Sequence, residues 1–77
     1  GVPEVTITSL NLLDTLIQSK ICSSKREARE FITNGAISIN GDKITDPSYE
    51  LTDKDFIEDA IIIKRGKKNY YIGKRNN

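Results

Sequence analysis

A chain of 77 residues with 36% hydrophobic and 30% charged side chains and a net charge of +1 has the size and composition of one soluble domain with a thin core, burying about 60% of its unfolded surface. No apolar run reaches the ~18 residues of a membrane span, and no charged region followed by an apolar stretch marks a secretory leader. Histidine is absent and Cys22 is the sole cysteine, which excludes an internal disulfide, a Cys/His zinc cluster and any nucleophile activated by histidine.

Residues 1–8 read as an extended linker, because Pro3 holds Val2 in extended conformations; Val5 and Ile7 either form a short strand or lie on the surface. The sequence contains no methionine, so Gly1 is expected to mark an excised or processed piece of a larger protein. Residues 9–20 carry Leu10, Leu13, Leu16 and Ile17 at helical spacing, which predicts a first helix capped by Ser9 with this stripe in the core. Cys22 falls in the following turn and is expected to be partly buried. Ser24 opens a second helix, with Glu27 placed to return a hydrogen bond to the amide of Ser24 in a capping box. Ala28, Phe31 and Ile32 form its buried stripe, and Asn34-Gly35 ends it.

Residues 36–45 alternate Ile37, Ser38 and Ile39 ahead of Asn40-Gly41, the favoured two-residue hairpin turn. Residues 46–59 are polar and turn-rich. Thr52 can cap one helical turn there, and the spacing of its acids does not match a calcium loop. Residues 60–73 form a second hairpin around Lys64-Arg65-Gly66-Lys67-Lys68. The apolar run from Ala60 to Ile63 implies a strand covered on both faces. Residues 74–77 read as a flexible tail. The fold class expected is α+β: two N-terminal helices packed on a small, mainly antiparallel twisted sheet of two hairpins, the domain proper spanning residues 9–73.

Charge is strongly segregated. Residues 36–59 hold seven acids against Lys43 and Lys54, whereas residues 60–77 hold six basic residues and no acid. That distribution suits a polyanion binder with a solvated acidic side; the bland alternative is a solubilising basic tail. Two basic groups carry the candidate chemistry. Lys25, Arg26 and Arg29 sit at the capped start of the second helix, where free backbone N–H groups add partial positive charge. The KRGKK turn presents cations around a glycine that permits close approach, and one of Tyr70 and Tyr71 can join that surface while its neighbour points inward. There is no Gly-rich phosphate loop and no acid–base pair, so this stretch is expected to bind rather than catalyse and to need no cofactor or metal.

The run SSKREAREFITNGAISINGDKI (residues 23–44) resembles the RNA-binding domain named after the fourth small-subunit ribosomal protein. Its order is a Ser-basic helix start, Ala-Arg, an apolar pair, Gly, a strand, Asn-Gly and a return strand. The resemblance implies RNA held along the helix face and neighbouring strands. The GVPEV start, the SLNLLDTLIQSKICSSKREAREFI run and the IIIKRGKKNYYIG ending together resemble the C-terminal domain of bacterial tyrosyl-tRNA synthetases. In that family the domain follows catalytic and helical domains on a linker and clamps tRNA between the anticodon stem and the long variable arm. By this resemblance Lys25 and Arg29 take helix-face backbone contacts and Arg65, Lys67 and Lys68 take hairpin contacts, with Arg26 and Lys43 as further candidates. It also implies tyrosine tRNA as partner, a cytoplasmic homodimeric parent joined through other domains, and ATP bound only in that parent. A Gly-Asp turn common in the family before the last strand is replaced by DKDFIEDA, which leaves the register of the final hairpin open.

Two other readings stand beside this one. The same fold serves other RNA enzymes, such as pseudouridine synthases, and ribosome-associated factors. In a different class, the basic faces belong to a protein-interaction module that meets acidic partners.

Overall fold

The structure, a computed structural model, describes residues 1–75. In chain order the elements are β1 (Glu4–Ile7), α1 (Leu12–Gln18), α2 (Lys25–Thr33), β2 (Ile37–Ile39), β3 (Asp42–Ile44), a 3-10 turn (Asp53–Asp55), β4 (Ala60–Arg65) and β5 (Asn69–Arg75). The five strands form one sheet in the order β1-β5-β4-β2-β3.

The α+β class holds, with both expected hairpins present, but the sheet is mixed. β1 runs parallel to β5, pairing Glu4 with Ile72 and Ile7 with Arg75. Of the two courses open to Val5 and Ile7 in the extended entry, the short strand is the one taken, as an edge strand that precedes the two helices. Ile7 is the reason: it is buried in the core, and extended backbone with alternating burial satisfies both the side chain and the β5 edge. Lys74 and Arg75, expected in a flexible tail, continue β5 for the same reason. Asn76 and Asn77, the rest of that tail, lie outside the described residues.

α1 is shorter than expected. Asn11, not Ser9, caps it, its Oδ1 accepting from the Asp14 amide at 2.9 Å. The Ser9 hydroxyl instead accepts from the Asn11 amide at 3.2 Å. Leu10 lies outside the helix and is exposed, because its carbonyl accepts from the Leu51 amide at 2.7 Å. Leu12 and Leu16 fill the core, with Leu13 and Ile17 packed against it. In α2 the Ser24 hydroxyl accepts from the Glu27 amide at 3.1 Å as expected. Glu27 returns its bond to the amide of Ser23 rather than Ser24, at 2.9 Å.

One core joins Leu12 and Leu16 of α1, Ala28 and Ile32 of α2, Ile37 and Ile39 of β2, and Ile61 and Ile63 of β4. β4 is not covered on both faces: it alternates, with Ile61 and Ile63 buried and Ile62 50% exposed. The helices take the inner face of the sheet, and the outer face is open.

At Gly73 the inner face is tightest. A Cβ there would sit 2.7 Å from Ile7 Cδ1 and 3.1 Å from Ile61 Cγ1. Glycine thus allows β5 to pass between an edge-strand isoleucine and a central one. Replacing it with alanine should overpack this seam and lower stability by roughly 1–3 kcal/mol, read as a lower urea midpoint. An unchanged midpoint would show that β1 shifts aside without loss.

Candidate nucleic-acid interface

The basic residues singled out from the sequence do not form one continuous surface. Lys25 and Arg29 are exposed on α2. Arg26 is exposed too and reaches Glu30 at 4.0 Å, a surface pair worth little. At about 100° per residue, Arg29 points about 160° away from Phe31. Phe31 lies under the guanidinium of Arg65, at 5.8 Å from ring centroid to Cζ. The basic edge of α2 and the Arg65 flank therefore lie on opposite sides of that helix. Between them runs a side of α2 lined by Glu27, Glu30, Phe31 and Asn34.

Arg65 does more for structure than its position in a basic turn suggests. Its Nη1 donates to the carbonyl of Ile21, tying the end of β4 to the turn between the helices. Beyond it Gly66 adopts a left-handed backbone, φ 70°, and its amide donates to the Ala36 carbonyl at 2.8 Å. Lys67 and Lys68 then diverge. Lys68 lines a hollow with Asn69, Tyr70, Tyr71 and residues 1–3. Lys67 turns to the other side, toward Lys43 and Lys64.

The sequence offers Lys64 only as one cation of the KRGKK turn, and the strand register places it on the open sheet face. Across the outer face, Lys43 on β3 pairs with Ser38 on β2, Ser38 with Lys64 on β4, and Lys64 with Tyr70 on β5. Cross-strand partners share a face, so these four side chains form a row. Lys64 Nζ stands 5.5 Å from the centroid of the Tyr70 ring. A concavity of about 400 Å³ sits at one end of the row, lined by Lys43, Lys64 and Lys67 with Gly35, Ser38 and Gly66. Tyr70 is 45% exposed, and Tyr71 packs against the core, as alternation requires. The period-2 alternation of Ile61 and Ile63 would have pointed Lys64 outward from sequence alone, had the apolar run not masked it.

Acids are disposed elsewhere. Arg75 holds Asp53 at 2.8 Å and Asp59 at 3.1 Å and lies 4.1 Å over the Phe56 ring. Those carboxylates hold its proton more firmly. Lys74 meets Glu4 at 3.3 Å. Among the described residues, Lys25, Arg29, Lys43, Lys64, Lys67 and Lys68 enter none of the ion pairs. No group of three or more metal-binding side chains occurs among the described residues.

The sequence matches the tyrosine–tRNA ligase SYY-like C-terminal domain family over residues 1–73. The chain belongs to that family. A tyrosine–tRNA ligase of Macrococcus caseolyticus is 54% identical over 72 residues, covering 92% of this chain and 17% of the relative. One from Staphylococcus epidermidis is 51% identical over 74 residues, covering 92% and 18%. A solved structure, the solution structure of a tyrosyl-tRNA synthetase C-terminal domain, superposes with a TM-score of 0.76 at 37% identity, covering 97% of this chain and 79% of that one. The chain thus spans under a fifth of the length of these curated ligases. This tyrosine–tRNA ligase C-terminal domain carries unpaired cations on the α2 edge, the hairpin tip and the open sheet face, and Lys20 and Lys54 likewise enter none of these ion pairs.

Two buried or hydrogen-bonded acids of this domain titrate late. Burial pushes the Cys22 thiol up from 9.0 to about 11, with Glu27 adding to the rise and Arg65 opposing it. The hydroxyl of Tyr49 donates to Asp55 Oδ2 at 2.7 Å, and that bond raises it from 10.0 to about 12. Folding favours the protonated form of both groups. Their contribution to stability is complete below pH 9 and declines as pH rises through about 11 and 12. Urea midpoints should therefore fall along this alkaline limb, and Tyr49→Phe should flatten its upper part. An identical limb in the variant would remove Tyr49 from the account.

Proposed function

We propose that this domain is a tRNA-binding appendage of a tyrosine–tRNA ligase, taking backbone phosphates of the long variable arm and the anticodon stem. Lys25 and Arg29 contact one stretch of backbone from the edge of α2. Lys67 and Lys68 contact another from the hairpin tip, with Lys43 beside them. Arg26 and Arg65 have partners within the domain and play a smaller part. The observation that carries the reading is the sorting of charge: Arg75 and Lys74 take up acids, while the cations on the exposed α2 edge and hairpin tip stay free to meet phosphate. Membership of the ligase C-terminal domain family supports tRNA as the polyanion and tyrosine tRNA as the species. In the parent ligase, aminoacylation, ATP and dimer contacts belong to other domains, in the cytoplasm. Tethering there raises the effective concentration, so even a weak contact contributes.

Binding of the 77-residue chain to tyrosine tRNA, measured beside the same tRNA lacking its long variable arm, tests this. About five neutralised phosphates predict a slope of log affinity against log salt of roughly −3.5 to −4.5. Removing the arm should abolish most of the affinity, and Lys25→Ala, Arg29→Ala, Lys67→Ala and Lys68→Ala should each make the slope shallower by about one. Equal binding of both RNAs, or a slope near zero, would overturn the assignment.

A further inference from the structure

Beside the lysines already given to backbone phosphate, the open face of the sheet carries an aromatic and apolar surface that clamping a double-stranded stem does not use. Its central row runs Lys43, Ser38, Lys64, Tyr70 across four strands. Behind Tyr70, Ile62 pairs with Ile72 on the same face, and Ile62 is half exposed. A platform of one exposed aromatic ring and two isoleucines thus adjoins a hollow lined by three lysines and no carboxylate.

The hollow is built, not incidental. Gly35 has a left-handed backbone, φ 74°, and a Cβ there would lie 2.9 Å from Cδ of Lys43. The stem of Lys43 therefore rests on the bare Gly35 backbone, and Lys43 lines the hollow. Gly66, also left-handed, is fastened to Ala36 by its amide, which fixes the opposite wall. Lys64 joins the two parts, lining the hollow while its ammonium lies within cation–π reach of Tyr70.

We propose that this outer face binds one unpaired nucleotide of the RNA, its base stacked on Tyr70 and its phosphate held by Lys43, Lys64 and Lys67. The class of ligand follows from the chemistry. Paired bases in a helix present no free ring face, and A-form backbone alone gives an aromatic–apolar platform nothing to cover. Splayed bases stack on exposed aromatic side chains of sheets, with lysines along the backbone. The inference rests on the nucleic-acid reading above and extends its hairpin-tip contact, through the shared Lys43 and Lys67, onto the face of the sheet opposite the helices.

The test uses the 77-residue chain with three RNAs: tyrosine tRNA, a short unstructured oligonucleotide and a blunt duplex of equal length. Affinity is read from the anisotropy of labelled RNA. Stacking is read from quenching of tyrosine fluorescence, since the chain has three tyrosines and no tryptophan. Lys64→Ala and Tyr70→Ala should each weaken binding of the oligonucleotide about tenfold, and Tyr70→Ala, which removes no charge, should leave the duplex unchanged. Tyr70→Phe should keep both affinity and ring stacking, which separates stacking from loss of the hydroxyl. If the oligonucleotide binds both alanine variants as it binds the parent chain, the sheet-face site is overturned. Arm-dependent tRNA binding with those same neutral variants would overturn it while leaving the proposed function standing. A chain that binds none of the three RNAs would overturn both.

Discussion

Asn40 is the residue on which the arrangement of the sheet turns. Its backbone adopts the left-handed region, φ 53°, ahead of Gly41 at 88°, which makes the tight turn between β2 and β3. Its side chain then works in two directions. Nδ2 donates to the Asp55 carbonyl at 2.6 Å, and Oδ1 accepts from the Ile62 amide at 2.9 Å. Its own amide donates to the Ile62 carbonyl at 2.8 Å. One asparagine thereby closes a hairpin, extends the β2–β4 ladder past its last pair and anchors the 3-10 turn. Because side chains alternate along a strand, the register it enforces on β4 also decides that Ile61 and Ile63 face the core while Lys64 faces out.

The anchored turn explains how the acidic segment is kept from the basic surfaces. Asp55 accepts from the Thr52 amide at 2.9 Å as well as from Tyr49. Asp53 and Asp59 converge on Arg75 at the end of β5. An acid-rich loop that lay loose could fold back on the lysines at the hairpin tip and compete with phosphate. Held at the far end of β4 and β5, it leaves that tip cationic, and the domain acquires a strong charge asymmetry at a net charge of only +1.

Much of this was legible in the sequence wherever the determining contacts are local. Ser24 and Glu27, the Asn40-Gly41 turn, the Gly66 hairpin and the one-in, one-out placement of Tyr70 and Tyr71 all depend on neighbours a few residues away. The joining of β1 to β5 depends on partners at opposite ends of the chain, and four residues carry too little pattern to announce it. Arg75 illustrates the same limit: its acids lie in a segment whose path is set by Asn40, so nothing near residue 75 reveals its role. The place of Lys64 on the sheet face was hidden differently. Three consecutive isoleucines read as a strand buried on both faces, and only the open outer face of the sheet separates Ile62 and Lys64 from their neighbours.

The parallel pairing of Glu4 with Ile72 also bears on which part of the sheet can open alone. Helix contacts and both hairpins link residues close in sequence and can form early, each closing a short loop. β1 pairs with a strand 68 positions along the chain, yet residues 8–11 tie it to α1, so once α1 is packed its docking closes only a short loop. As an edge strand with one neighbour, held by Ile7 against Gly73, it can be released with the loss of a single strand pairing. Opening it exposes the β5 edge without dismantling the helices, the central hairpins or the lysine row.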